Sequence, residues 1–101
     1  MTVKLVVLYT RPENPEEFDR HYLDVHVPLV EKIPGLQRFE GARITGVADG
    51  GEQTYHRIAE LWFADQQAFE NALATEESKA TAADYQRIAP DGSRMFVATV
   101  D

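Results

Sequence analysis

The chain has 101 residues, room for one hydrophobic core and too few for two, and its 44% hydrophobic and 27% charged residues are ordinary globular proportions. A formal net charge of −7, with Arg11, Arg20, Lys32 and Arg38 scattered among acids, offers no cationic face for nucleic acid. Cysteine is absent, which removes disulfides, zinc-thiolate sites and thiol nucleophiles; no apolar run nears the roughly 20 residues of a membrane span and no leader pattern opens the sequence, so the expected address is the cytoplasm.

Val3, Leu5, Val7 and Tyr9 alternate with Lys4, Val6 and Leu8, a strand with both faces largely apolar. Pro12 and Pro15 break the chain. Asn14 suits a helix N-cap, Pro15 the first helical position, and Glu16 and Glu17 the positive end of the helix dipole. Phe18, Tyr22, Val25 and Leu29 then recur at helical spacing, with His26 and Ile33 on the flank of that stripe, until Pro34-Gly35 stops the helix. Pro28, with no N–H and a ring that clashes with the carbonyl four residues back, should open this helix beside His26.

Leu36 to Val47 alternates as a second strand, with Gly41 and Gly46 as candidate bulges. Asp49-Gly50-Gly51-Glu52 is the clearest turn, and His56 to Phe63 follows as an aromatic and branched third strand. Asp65 caps a helix through Phe69, Ala72 and Leu73. Thr75 restarts helix to about Ile88, Pro90-Asp91-Gly92 turns the chain, and Arg94 to Val100 is the last strand. The order β-α-β-β-α-β predicts an α+β ferredoxin-like fold, a four-stranded antiparallel sheet with helices on one face. The other face should then be polar, yet the first and last strands are apolar on both sides. A second copy of the sheet is the simplest cover, so a homodimer is expected.

The segments Lys4-Leu-Val-Val-Leu-Tyr-Thr-Arg-Pro, Phe18 to Leu36 with its core His26-Val-Pro-Leu, and Tyr55-His-Arg-Ile-Ala-Glu-Leu-Trp-Phe together resemble the EthD family of the dimeric α+β barrel superfamily. That family takes its name from a gene cluster for ether degradation. The resemblance implies kinship with cofactor-independent quinone-forming monooxygenases, muconolactone isomerase, polyketide cyclases and haem-dependent chlorite dismutases, and fold-level kinship does not choose among them.

His26 matches the family's His-x-Pro element and is the leading candidate for general acid–base work, since a histidine titrates near neutral pH. Tyr22, one turn earlier, can share a helix surface with it and is the second catalytic candidate. His21, five residues from His26, falls on another face of a straight helix and is expected at the surface. Tyr9, His56 and Trp62 are substrate-binding candidates, with Tyr9 at the pocket mouth and Trp62 as a wall or an interface anchor. Glu60, flanked by apolar residues, needs a partner such as Arg38 or Arg43 and is expected in a salt bridge at the dimer interface.

No metal is expected, because the sequence has neither a His-x-x-x-His pair nor a Glu-x-x-His element. No glycine-rich loop seats a nucleotide, and no cofactor is expected. One helix-borne histidine is enough to ligate a haem, but the chain is short for a haem pocket. Together with His26 and Tyr22, the resemblance implies a cofactor-independent oxidative or ring-modifying enzyme acting on a hydrophobic, oxygenated small molecule. A non-catalytic protein that holds a reactive metabolite is the alternative.

Overall fold

Tyr9 stands near the end of an inner strand of a four-stranded sheet in which every neighbouring pair is antiparallel. In the computed structural model, which describes residues 1–101, the strands are β1 (Val3–Thr10), β2 (Arg38–Arg43), β3 (Tyr55–Phe63) and β4 (Arg94–Thr99), hydrogen-bonded in the order β2-β3-β1-β4. Helix α1 (Pro15–His21) leads through a π-helical turn (Tyr22–His26) into α2 (Val27–Glu31), and α3 (Gln66–Leu73) and α4 (Glu76–Ile88) precede β4. This is the ferredoxin-like α+β arrangement. No helix is long and apolar enough to cross a membrane.

The helix starts follow the capping chemistry of the sequence. Asn14 Oδ1 accepts from the Glu17 amide at 3.2 Å, Asp65 Oδ1 from Ala68 at 2.8 Å, and Thr75 Oγ1 from Ser78 at 3.2 Å, each satisfying a donor that the first helical turn leaves unpaired. In the loop after β2, Gly51 donates to Asp49 Oδ1 and Gly50 adopts φ 79°, a left-handed conformation that favours glycine.

Register divides the sheet into two faces. Val3, Leu5, Val7 and Tyr9 lie opposite Phe63, Leu61, Ala59 and Arg57, and all of these but the charged Arg57 pack under the helices against Phe18, Tyr22, Val30, Ile33, Phe69 and Ala72. Lys4, Val6 and Leu8, with Trp62, Glu60, Ile58 and Phe96 beside them, point to the face that carries no helix.

Three expectations are corrected. The second strand is shorter than Leu36–Val47: Gln37 and Ile44 still donate to Trp62 and His56 carbonyls, but the chain then leaves the sheet. Gly41 sits in unbroken register with Ala59, so it is no bulge. The irregularity lies instead on β3, where Tyr9 pairs with Arg57 and Thr10 with Tyr55, leaving His56 as the extra residue. The buried stripe of the first helical segment is also displaced. Phe18, Tyr22, His26, Val30 and Ile33 are buried, whereas Val25 is 43% exposed and Leu29 only half-buried. The wider π-turn keeps residues four apart on one face, where a straight α-helix would have rotated Val25 and Leu29 inward.

Candidate functional site

The π-turn has a local cause. Pro28 has no amide hydrogen to give to the carbonyl of Asp24, and the Val27 N–H reaches back five residues to Tyr22. In a turn of that width, residues five apart come onto one side. His21 and His26 therefore converge on the same carboxylate of Asp84 in α4. His26 Nδ1 lies 2.8 Å from Asp84 Oδ2, and His21 Nε2 lies 2.9 Å and 3.1 Å from its two oxygens. Asp84 is 2% exposed and His26 4%.

An ionised carboxylate offers only lone pairs, so the ring nitrogens facing it donate. With its proton on Nδ1, a neutral His26 keeps a lone pair on Nε2, which accepts from Tyr9 Oη at 3.3 Å. Burial holds His26 below its ordinary value of 6.5, against the pull of Asp84 in the other direction. Burial pushes Asp84 up, but the hydrogen bonds from His21 and His26 outweigh it and leave the carboxyl below its usual range. Burial also raises Tyr9 and Tyr22. At neutral pH the site thus holds a carboxylate, a neutral imidazole and two protonated phenols.

His26, Tyr9 and Tyr22 line a cavity of about 110 Å³ between helices and sheet, walled mainly by aliphatic and aromatic side chains such as Val7, Val30, Leu61 and Phe69. Asp84 is not in its lining; the Nδ1 edge of His26 is turned to Asp84 on α4 and the Nε2 edge to Tyr9, itself a wall of the cavity. Leu73 and Met95, both substantially exposed, mark the rim where the cavity opens. Tyr22 stacks on His26 with ring centroids 5.7 Å apart. Its hydroxyl is buried and has no hydrogen-bond partner.

Several sequence expectations are relocated. Tyr9 is a deep wall of the cavity, 1% exposed, and not its mouth. Trp62 points to the helix-free face, between Lys4 and Arg38 at 5.4 Å and 4.7 Å from its ring, because its place in the pleat is opposite to that of Leu61 and Phe63. His56, turned by the bulge, joins Arg57 in bonding Asp19 Oδ1 at 2.8 Å each, outside the cavity lining. Hydrogen bonds from Arg57 and His56 overcome the upward push of burial and lower Asp19. Glu60 pairs with Lys4 of the neighbouring strand at 3.0 Å, and with neither Arg38 nor Arg43. His21 is tied to a buried acid with its side chain 35% exposed, so it is only partly a surface residue.

The sequence marks Asp84 only as an acid on the inward face of an alanine-rich helix, in step with Thr81 and Ile88. No group of three or more histidine, cysteine or acidic side chains is disposed to hold a metal ion. What the arrangement can do is accept a proton at His26 Nε2 and stabilise the resulting imidazolium with Asp84.

A sequence profile described as the EthD domain matches residues 11–98. The chain belongs to the EthD family. Of the three motifs that resemble it, the first lies ahead of the matched span except for Arg11 and Pro12. An EthD family protein of Bacillus halodurans C-125 is 33% identical and superimposes with a TM-score of 0.92 over 100% of both chains. An uncharacterized 11.0 kDa protein from the thcB-thcC intergenic region of Rhodococcus erythropolis is 33% identical over 93 residues, 92% of this chain and 89% of that protein. More distant is SnoaB, a cofactor-independent oxygenase from Streptomyces nogalater, with 19% identity, a TM-score of 0.69, and 99% and 93% of the two chains covered. A dimeric ferredoxin-like protein of unknown function from Jannaschia sp. CCS1 has 13% identity and a TM-score of 0.73, covering 99% and 100%. These last two likenesses are of fold alone.

Proposed function

We propose that this EthD protein is a cofactor-independent enzyme in which His26, aligned by Asp84, takes a proton from a hydrophobic, oxygenated small molecule. The observation that carries the reading is the polarity of the Asp84–His26 pair. A buried carboxylate holds Nδ1 of a neutral imidazole that lines an apolar cavity, and its Nε2 lone pair accepts only from Tyr9 Oη at 3.3 Å, a bond that an acidic substrate would displace. Such a base needs little reorganisation, because the countercharge for the imidazolium is already 2.8 Å away. Loss of a phenolic or enolic proton leaves an electron-rich anion. That anion can rearrange, or pass electrons to dioxygen, which is then the oxidant. SnoaB, described as a cofactor-independent oxygenase, supports the second course by fold likeness.

The reading includes a homodimer. Val6, Leu8, Ile58, Trp62 and Phe96 share the helix-free sheet face, and Phe96 is 42% exposed. A second copy packed face to face would cover them, and relatives of this fold are described as dimeric.

A panel of phenols, hydroquinones and enolisable ketones, followed in air by absorbance and oxygen uptake, tests the proposal. Turnover that disappears in His26→Gln supports the enzyme. Saturable binding without turnover anywhere in the panel would make the protein a carrier and refute the catalytic reading.

A further inference from the structure

We infer that the cavity selects a neutral, single-ring molecule bearing a hydroxyl or carbonyl oxygen, with Tyr22 Oη as the anchor for that oxygen and Gly41 as the residue that makes room for the anchor. The assignment builds on the proposed function by naming what the same site accepts.

The anchor is an orphan. Tyr22 is 1% exposed, it lines the cavity, and its hydroxyl has no partner. A buried polar group without a partner is unfavourable by roughly 1–3 kcal/mol and rare in native structures. Tyr9 Oη and His26 Nε2 form their own hydrogen bond and Thr81 Oγ1 donates to the Glu77 carbonyl, while Ser78 and Tyr85 bring further hydroxyls to the lining. Among them Tyr22 Oη is the one fully buried group without a partner, and a ligand oxygen arriving here would satisfy it. Arg57, bonded to Asp19, stands 4.8 Å over the Tyr22 ring and helps to hold it in place.

Gly41 has no backbone reason to be glycine. It is not among the glycines of positive φ, and its strand runs in unbroken register. Its reason is steric: a Cβ there would stand 2.9 Å from Tyr22 Oη and 3.3 Å from the tip of Phe39. Any larger residue would push the hydroxyl from its place.

The class of ligand follows from charge and size. No lysine or arginine lines the cavity, so a carboxylate would be buried without a countercharge. About 110 Å³ is less than the roughly 150 Å³ of a dry cavity that holds benzene, so no more than one aromatic ring fits inside. Larger substituents must emerge past Leu73 and Met95 at the rim.

Calorimetric titration of the full chain with p-cresol, p-xylene and p-toluate tests the assignment, because these three share a shape and differ in one group. Wild type should bind p-cresol at least about tenfold more tightly than p-toluate, and Tyr22→Phe should lower the p-cresol to p-xylene affinity ratio about tenfold while p-xylene still binds. Gly41→Ala, which keeps the hydroxyl but displaces it, should lower the same ratio. An unchanged ratio in Tyr22→Phe, p-toluate binding as tightly as p-cresol, or no binding of any of the three would overturn the assignment. None of these titrations needs turnover. A Tyr22-dependent ratio in a protein that abstracts no proton would therefore remove the proposed reaction and leave the anchor standing.

Discussion

His26 Nδ1 and Asp84 Oδ2 lie 2.8 Å apart although 58 residues separate them in the chain. The contact fixes which edge of the imidazole is basic. Asp84→Asn tests it with almost no change in shape. An asparagine can present an N–H to Nδ1, which moves the ring proton to Nε2 and leaves the cavity edge without a lone pair. The expected result is a loss of about 10²–10⁴ in kcat with little change in KM. Nitrogen NMR of His26 should show the change of tautomer, a readout that a purely structural role for Asp84 would not move.

Stability should depend on pH through the same pair. His26 is held below 6.5 in the folded protein, so between 6.5 and its lowered folded value the unfolded chain binds a proton that the folded one refuses. The folded state accordingly loses stability as pH falls through that window, with a slope of up to about 1.4 kcal/mol per pH unit. Asp84 is lowered below 3.8, so its contribution is present above that value and disappears only as pH falls further. Melting temperatures from pH 7.5 to 5 should decline in wild type and flatten in His26→Gln; parallel curves would contradict the assignment.

Tyr22→Phe should melt level with wild type or above it, by up to about 1 kcal/mol, because it deletes a buried hydroxyl that lacks a partner. Differential scanning calorimetry measures this. A clear loss of stability would mean that the hydroxyl is already satisfied in the unliganded protein.

Phe96→Glu addresses the helix-free face. Phe96 lies opposite Val6 on an edge strand, so a charge there disturbs little inside one subunit but would be buried between two sheets. Sedimentation should show a dimer for wild type and a monomer for the variant. A wild-type monomer would refute the homodimer.

The strands were readable because alternation is local, and so were the helix starts, since Asn14, Asp65 and Thr75 cap the helices they precede. His26 was readable beside Pro28. The π-turn was visible only as an opening near that proline, and its effect on His21 was missed because α-helical spacing puts residues five apart on different faces. Asp84 reaches the site through tertiary packing, which no local pattern encodes. His56 was misdirected by a bulge that shifts pairing by one residue, and Trp62 by uncertainty over which face the helices cover.

The most direct test of a base at His26 needs no oxidant. Deuterium exchange at the acidic carbon of phenylacetone, followed by NMR in deuterated buffer, reports proton abstraction alone. The account predicts faster exchange with wild-type protein than in buffer, a return to the buffer rate in His26→Gln, and an intermediate or buffer-like rate in Asp84→Asn. Exchange that is no faster with protein than without it, or that persists unchanged in His26→Gln, would contradict it.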